Sequence, residues 1–184
     1  VCHDPIARRV IGTVAGRQAV TFNTVTQDFV AHQGQPEAVP LIAMDRSKAF
    51  QAGARPPFPD AEVCLDAFHV AQWVHDAVDA VRRAEVKQES MLKGTRWGLL
   101  KSPPDWSKEQ TTDRHGLQRS GLKTARAWRR KQRFKAMHPR CRNGADPEPW
   151  YHSWISWARR SRLEPFKRLG STLKAHLPGL LAAY

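Results

Sequence analysis

Two short apolar runs, each ending in an aspartate, constrain this sequence more than any other feature. Val39–Met44 runs unbroken into Asp45. Val63, Cys64 and Leu65 run into Asp66, after a break rich in Gly and Pro. His69 and a long helical periodicity follow directly. Unbroken apolar runs of this length are expected as strands buried on both faces. Open α/β sheets place their chemistry just past the C-terminal ends of neighbouring strands, where Asp45 and Asp66 fall.

The elements around these runs follow from pattern. Val10–Val14 and Ala19–Phe22 are expected as two short strands about a turn at Gly16, because β-branched residues cluster between turn formers. Thr24–His32 is expected as a short helix with Asn23 or Thr24 as its N-cap. Arg46–Ala54 reads as another short helix, stopped by Pro56, Pro57 and Pro59, and Ala61–Leu65 as the next buried strand. From His69 onward, Val70, Trp73, Val74, Ala77, Val78 and Val81 recur at i, i+3, i+4, i+7, i+8 and i+11, one apolar stripe of a helix. His75, Asp76, Asp79, Arg82 and Arg83 occupy its other side.

The formal charge of +13 is unevenly spread. Residues 1–81 hold 6 Lys+Arg against 9 Asp+Glu, whereas residues 82–184 hold 24 against 8. An asymmetry of this size points to a polyanionic partner for the second part, nucleic acid above all. Residues 117–145 contain no acid, and ten Lys or Arg lie between Arg119 and Arg142 with Trp128 and Phe134 among them. The spacing reads as a basic helix making phosphate contacts that carry no sequence information. A helix start is also expected near Ser107, after Pro103 and Pro104. Gly144 to Pro149 reads as a loop, and a last helical region as running from about Glu148 to His176. There Trp150, Trp154 and Trp157 share a face, which fits a core stripe better than a base-stacking platform.

The three cysteines (Cys2, Cys64, Cys141) are scattered and odd in number. That argues for a reducing compartment and against a disulfide framework or a structural zinc site. No apolar run approaches membrane-spanning length, and no signal-peptide pattern opens the chain. The first residue is Val1, so the chain is expected to start inside a longer reading frame.

Two aspartates at adjacent strand ends are able to hold divalent metal for phosphoryl chemistry. On spacing alone, aspartates at strand ends serve more often as turn formers or helix caps. His69 has the same two readings, as a ligand or phosphate-orienting group, or as a residue packing a strand-to-helix turn.

Several segments together resemble the transposases of bacterial insertion sequences in the ISL-three family. MDRSKAF, FPDAEVCLDAFHV and DAVDAVRR match that family's Asp-ended strand, its "fPxAxivxDxFHv" block and its "alDxvRr" helix. RWGLLKSP is similar to "RxxLLKxP", TARAWRRKQRF to "xarAyxxKexf", and WARRSRLEPFKRLGSTLKAH to "axxSrlxpfxxlaxTlkxH". The pieces occur in the family's order and cover nearly the whole chain.

The resemblance implies an α/β protein with a partial ribonuclease-H-like mixed sheet, the DDE catalytic core, over residues 1–72. A mainly α-helical, basic insertion region would follow over residues 73–184. It implies Mg²⁺-dependent cleavage and transfer of DNA strands, with DNA at transposon ends and target as partner, other transposase subunits as further partners, and no membrane. The implied location is cytoplasmic, with the bacterial nucleoid. Asp45 corresponds to the second catalytic Asp and the metal ligand, and Asp66 with His69 to a D-x-x-H element. The candidate DNA contacts are Arg119, Lys123, Arg126, Arg129, Arg130, Lys131, Arg133 and Lys135.

The family's first Asp lies in a segment before Val1, and Asp4 matches a later, non-catalytic position. The family's Glu lies in an "NGxxEGxN" segment that would follow Tyr184, and Glu148 and Glu164 lack that setting. The chain alone is therefore expected to be inactive. The alternatives are a non-catalytic remnant that binds DNA or sequesters intact transposase, and an unrelated basic nucleic-acid-binding protein on an α/β scaffold.

Overall fold

A computed structural model describes residues 2–4, 8–16, 18–45, 47–100 and 120–184. It is a mixed α/β structure, mostly helical, divided into two compact units. The first comprises residues 1–67 and 178–183, the second residues 68–177 with Tyr184. The helix start expected near Ser107 lies outside the described residues.

In the first unit, β1 (Cys2–Asp4) pairs antiparallel with β2 (Arg9–Gly12). β3 (Leu41–Met44) pairs parallel with β4 (Glu62–Leu65) in the register Met44 to Leu65. The strand expected over Ala19–Phe22 does not form. Thr21, Phe22 and Asn23 instead donate their N–H groups to the carbonyls of Gln18, Ala19 and Val20 at 3.0 Å. These tight turns lead into α1 (Thr21–Ala31), overriding the β propensity of Val20 and Thr21. The helix thus begins earlier than expected, Asn23 and Thr24 lie within it, and no side chain caps it.

Burial corrects a second expectation. β3 is not buried on both faces: Leu41 is 42% exposed and only Met44 is buried. Among the described residues β3 pairs with β4 alone, and a two-stranded pair leaves edges and faces open. α2 (Lys48–Ala54) forms as expected, with Ser47 Oγ accepting the Phe50 N–H at 3.3 Å. Gly53 is required where α2 meets the approach to α1, since a Cβ there would stand 2.5 Å from the Ala19 carbonyl oxygen. Phe58, Cys64, Leu65 and Leu180 are buried in this unit.

The second unit is helical. α3 (Ala67–Glu85) buries Val70, Val74, Ala77, Val78 and Val81, as its periodicity requires. α4 (Arg96–Leu100) is followed after the undescribed segment by α5 (Lys123–Arg142), α6 (Pro147–Arg159) and α7 (Glu164–Ala175). The expected last helical region is therefore two helices, parted by a turn in which Ser161 Oγ donates to the Ala158 carbonyl at 2.6 Å. A short α8 (Leu177–Leu181) comes last. A Cβ on Gly170 would lie 2.8 Å from Arg159 Cγ and 3.3 Å from Ala158 Cβ, so α7 packs closely on α6 there.

The tryptophan stripe of α6 meets the apolar side of α5. Phe134 lies edge-on to Trp154 and Trp150 at centroid distances of 4.9 and 5.3 Å. Trp154 is 1% exposed and donates its indole N–H to the Arg130 carbonyl at 3.2 Å. Trp150 and Trp157 are half-buried.

Candidate active site and nucleic-acid interface

Asp45 and Asp66 directly follow Met44 and Leu65, the last register pair of β3 and β4. Asp45 and Asp66 thus follow neighbouring parallel strands at the same end, whose backbones lie about 4.8 Å apart by strand spacing. The Asp66 N–H donates to the Met44 carbonyl at 2.9 Å, extending the ladder to the candidate site. Both side chains are half-buried. Asp45 Oδ1 accepts the Ser47 N–H at 2.8 Å, which opens α2. Asp45 therefore performs the turn-forming role whether or not it performs any other. His69 stands in the first turn of α3, in the second unit, with its ring edge-on to that of Phe68 at 5.9 Å.

Two carboxylates at one sheet end fit a Mg²⁺ ion, which is commonly held by one or two carboxylates with substrate oxygens and water completing the shell. No group of three His, Cys, Asp or Glu able to hold a metal occurs among the described residues.

The basic helix does not present all its cations alike. Lys123, Arg129, Arg133 and Lys135 are exposed and Arg126 is half-buried. Lys131 is 0% exposed and its ammonium donates to the Leu99 carbonyl. Arg130 is 7% exposed, with its guanidinium 4.2 Å above the Trp157 ring. Burial first, then the charges of Arg126 and Arg129, hold the Arg130 pKa below its ordinary value. Arg119 lies outside the described residues. Arg126, Arg129, Arg133 and the exposed Arg140 recur at i, i+3, i+7 and i+14, which aligns them along one stripe. Composition had not singled out Arg140; its helical spacing from the other three was the available signal.

Other polar side chains join the segments that carry the resemblance. Asp79 of DAVDAVRR, 9% exposed, accepts from Arg82 Nε at 2.8 Å and also pairs with Arg83. Its Oδ2 is 3.8 Å from Nε of Arg96, the first residue of RWGLLKSP. Leu99 of that segment takes the ammonium of Lys131, from TARAWRRKQRF. Three stretches far apart in sequence thus meet through polar contacts inside one unit. Local spacing hinted only at the pairing of Asp79 with Arg82 and Arg83.

A transposase family model, that of the ISL-three group of DDE transposases, matches residues 1–184. The transposase for insertion sequence element IS1001 of Bordetella parapertussis is 24% identical over 187 residues, covering 97% of this chain and 45% of its own length. The transposase for insertion sequence element IS1557 of Mycobacterium tuberculosis is 28% identical over 153 residues, covering 68% of this chain and 34% of its own length. The chain thus spans less than half the length of these curated relatives. No solved structure matches it. No described helix is long and apolar enough to cross a membrane. On the match over its whole length, this chain belongs to the ISL-three family of DDE transposases.

Proposed function

We propose that the chain is the part of a DNA transposase that carries one side of a ribonuclease-H-like active site and a basic helical region that grips DNA. The observation that carries this reading is the placement of Asp45 and Asp66 at the same end of two register-paired parallel strands, in a chain of this family. Residues 1–72 form the core in this reading and residues 73–184 the insertion. The compact units divide at residue 67 instead, and residues 178–183 belong to the first of them.

Asp45, with Asp66 beside it, would hold Mg²⁺, which supplies charge neutralisation at a phosphate and an activated hydroxyl or water for in-line displacement. The chain's own part is to fix the two carboxylates: the strand ladder sets their spacing, and the Ser47 N–H orients Asp45. The α5 stripe of Arg126, Arg129 and Arg133, with Lys123 and Lys135, contacts the backbone phosphates of transposon-end or target DNA. A cytoplasmic, nucleoid-associated location and assembly with other transposase subunits follow from that role.

The test is Asp45→Asn, because Asn preserves the side-chain oxygen that opens α2 while removing the charge. Calorimetric titration with Mg²⁺ is expected to show binding to the unsubstituted chain and none to the variant, with duplex DNA affinity equal in both. Equal Mg²⁺ binding in the two proteins rejects Asp45 as ligand.

A second reading rests on the exposed cations of the acid-free α5, which can contact phosphate without any metal. In it the chain binds DNA, or intact transposase, without cutting. Added to a working transposase of this family, it would then lower transposition, and an unchanged frequency counts against it.

A further inference from the structure

The two ends of α6 differ in charge. Its first turn follows Asp146 and carries Glu148. From Pro149 to Tyr184 the sequence holds one acid, Glu164, against six Lys or Arg. Three of those six, Arg159, Arg160 and Arg162, fall where α6 turns into α7, and all three are exposed. Glu164 is engaged with the next cations along α7: its Oε2 lies 3.8 Å from Lys167 Nζ, and its Oε1 accepts from Arg168 Nε at 3.4 Å. No acid among the described residues pairs with Arg159, Arg160 or Arg162.

The backbone that carries these arginines is well tied. Ser161 and Leu163 are buried and alternate with the exposed Arg160 and Arg162. Ser161 holds the Ala158 carbonyl through its hydroxyl at 2.6 Å and its N–H at 3.1 Å. The Lys167 N–H donates to the Leu163 carbonyl at 3.1 Å, which opens α7. Arg160 and Arg162 thus rise from an ordered turn, and engaging a ligand costs side-chain freedom alone. Arg160 follows Trp157 by three residues, on the same side of α6. The guanidinium of Arg133, from the α5 stripe, lies 5.8 Å from the centre of that Trp157 ring. The exposed cations of α5 therefore continue past Trp157 onto the turn.

We propose that Arg160 and Arg162 each contact a backbone phosphate of DNA, which makes the α6–α7 turn a second grip beyond the α5 stripe. Each offers five N–H donors in a planar fork that matches phosphate oxygens, and such contacts carry no sequence information. The proposal rests on the reading of the helical region as DNA-binding. Arg159 is not included, because its Cγ packs at Gly170 and its loss would also disturb α6 against α7.

The experiment is the salt dependence of binding to a duplex oligonucleotide by the 184-residue chain. Arg160→Gln, Arg162→Gln and the double variant are compared with Lys87→Gln, which removes an exposed charge beyond α3. Circular dichroism and thermal midpoints check folding, and both should be unchanged at these exposed positions. Each single variant should lower the slope of log K against log salt by about 1, and the double variant by about 2. Lys87→Gln should leave the slope unchanged, and replacing both arginines by Lys, which preserves the charge, should retain it. An unchanged slope in the double variant, with Arg133→Gln still lowering it, overturns this surface alone. A fall confined to one single variant overturns the two-phosphate assignment, and an equal fall in Lys87→Gln reduces the effect to net charge and overturns it too. Salt-independent binding by the unsubstituted chain overturns the DNA-binding reading and this surface with it.

Discussion

Glu85 joins the end of α3 to the start of α5: its Oε2 accepts the Thr124 N–H at 2.7 Å, and its Oε1 takes that of Lys123 at 2.8 Å. The residue at the N-cap position of α5, Leu122, has no side chain able to do this. A carboxylate borrowed from another helix thus satisfies two orphan donors and places negative charge at the positive end of the helix dipole. Glu85→Ala is expected to lower unfolding free energy by about 1–2 kcal/mol, the usual value of a lost cap. Glu85→Gln, which retains an acceptor oxygen, should cost less. Urea denaturation of the three proteins measures both differences, and identical midpoints would show that the contact does not contribute.

Lys131 and Arg129 are two residues apart on the same basic helix and should behave oppositely. Lys131→Ala empties a fully buried site and leaves the Leu99 carbonyl without its ammonium donor, a loss of about 2–4 kcal/mol in stability. Arg129→Ala, at an exposed position, should leave the thermal midpoint nearly unchanged and weaken DNA binding. Melting curves and DNA titrations on both variants decide this. A destabilised Arg129→Ala beside an intact Lys131→Ala would reverse the assignment of the two side chains.

Trp154 anchors the packing of α6 on α5. Its ring meets Phe134 at 4.9 Å and Phe166 at 6.2 Å, and its N–H is donated to a backbone carbonyl. Trp154→Ala should therefore cost about 3–5 kcal/mol. Trp157→Ala, at a half-buried position under Arg130, should cost markedly less. Comparing the two unfolding midpoints tests whether the stripe is core at its centre and boundary at its edge.

His75 supplies a pH dependence. Burial first, then the charges of Lys131 and Lys135, lowers its pKa from 6.5 to about 4. Between those two values the unfolded chain binds the proton that the folded chain refuses, so stability rises with pH there. The contribution is fully present above pH 6.5 and is lost as pH falls toward 4. Thermal midpoints measured across that window should fall on acidification, and His75→Gln should flatten the decline. A variant with the same slope as the unsubstituted chain would place the titration elsewhere.

The helices α3 and α5 and the strand ends at Asp45 and Asp66 were legible in the sequence, because each is a property of contiguous residues. An apolar stripe at helical spacing must be buried somewhere, and Val74 and Val78 are, whatever covers them. Short segments were less legible: Ala19–Phe22 has strand-like residues, yet backbone bonds begun at Gln18 turned it into the entry of α1. The pairing of Glu85 with Thr124, of Arg96 with Asp79, and of Lys131 with the Leu99 carbonyl left no local signal. Each joins elements well separated in sequence. Acid-free composition marked the whole of α5 as a phosphate-contacting surface, but a helix has two sides. Only its packing against α6 and the Leu99 carbonyl separated the buried Arg130 and Lys131 from the exposed Arg129 and Arg133. Charge is written in the sequence; which charges face solvent is decided by where the apolar side of the same helix is buried.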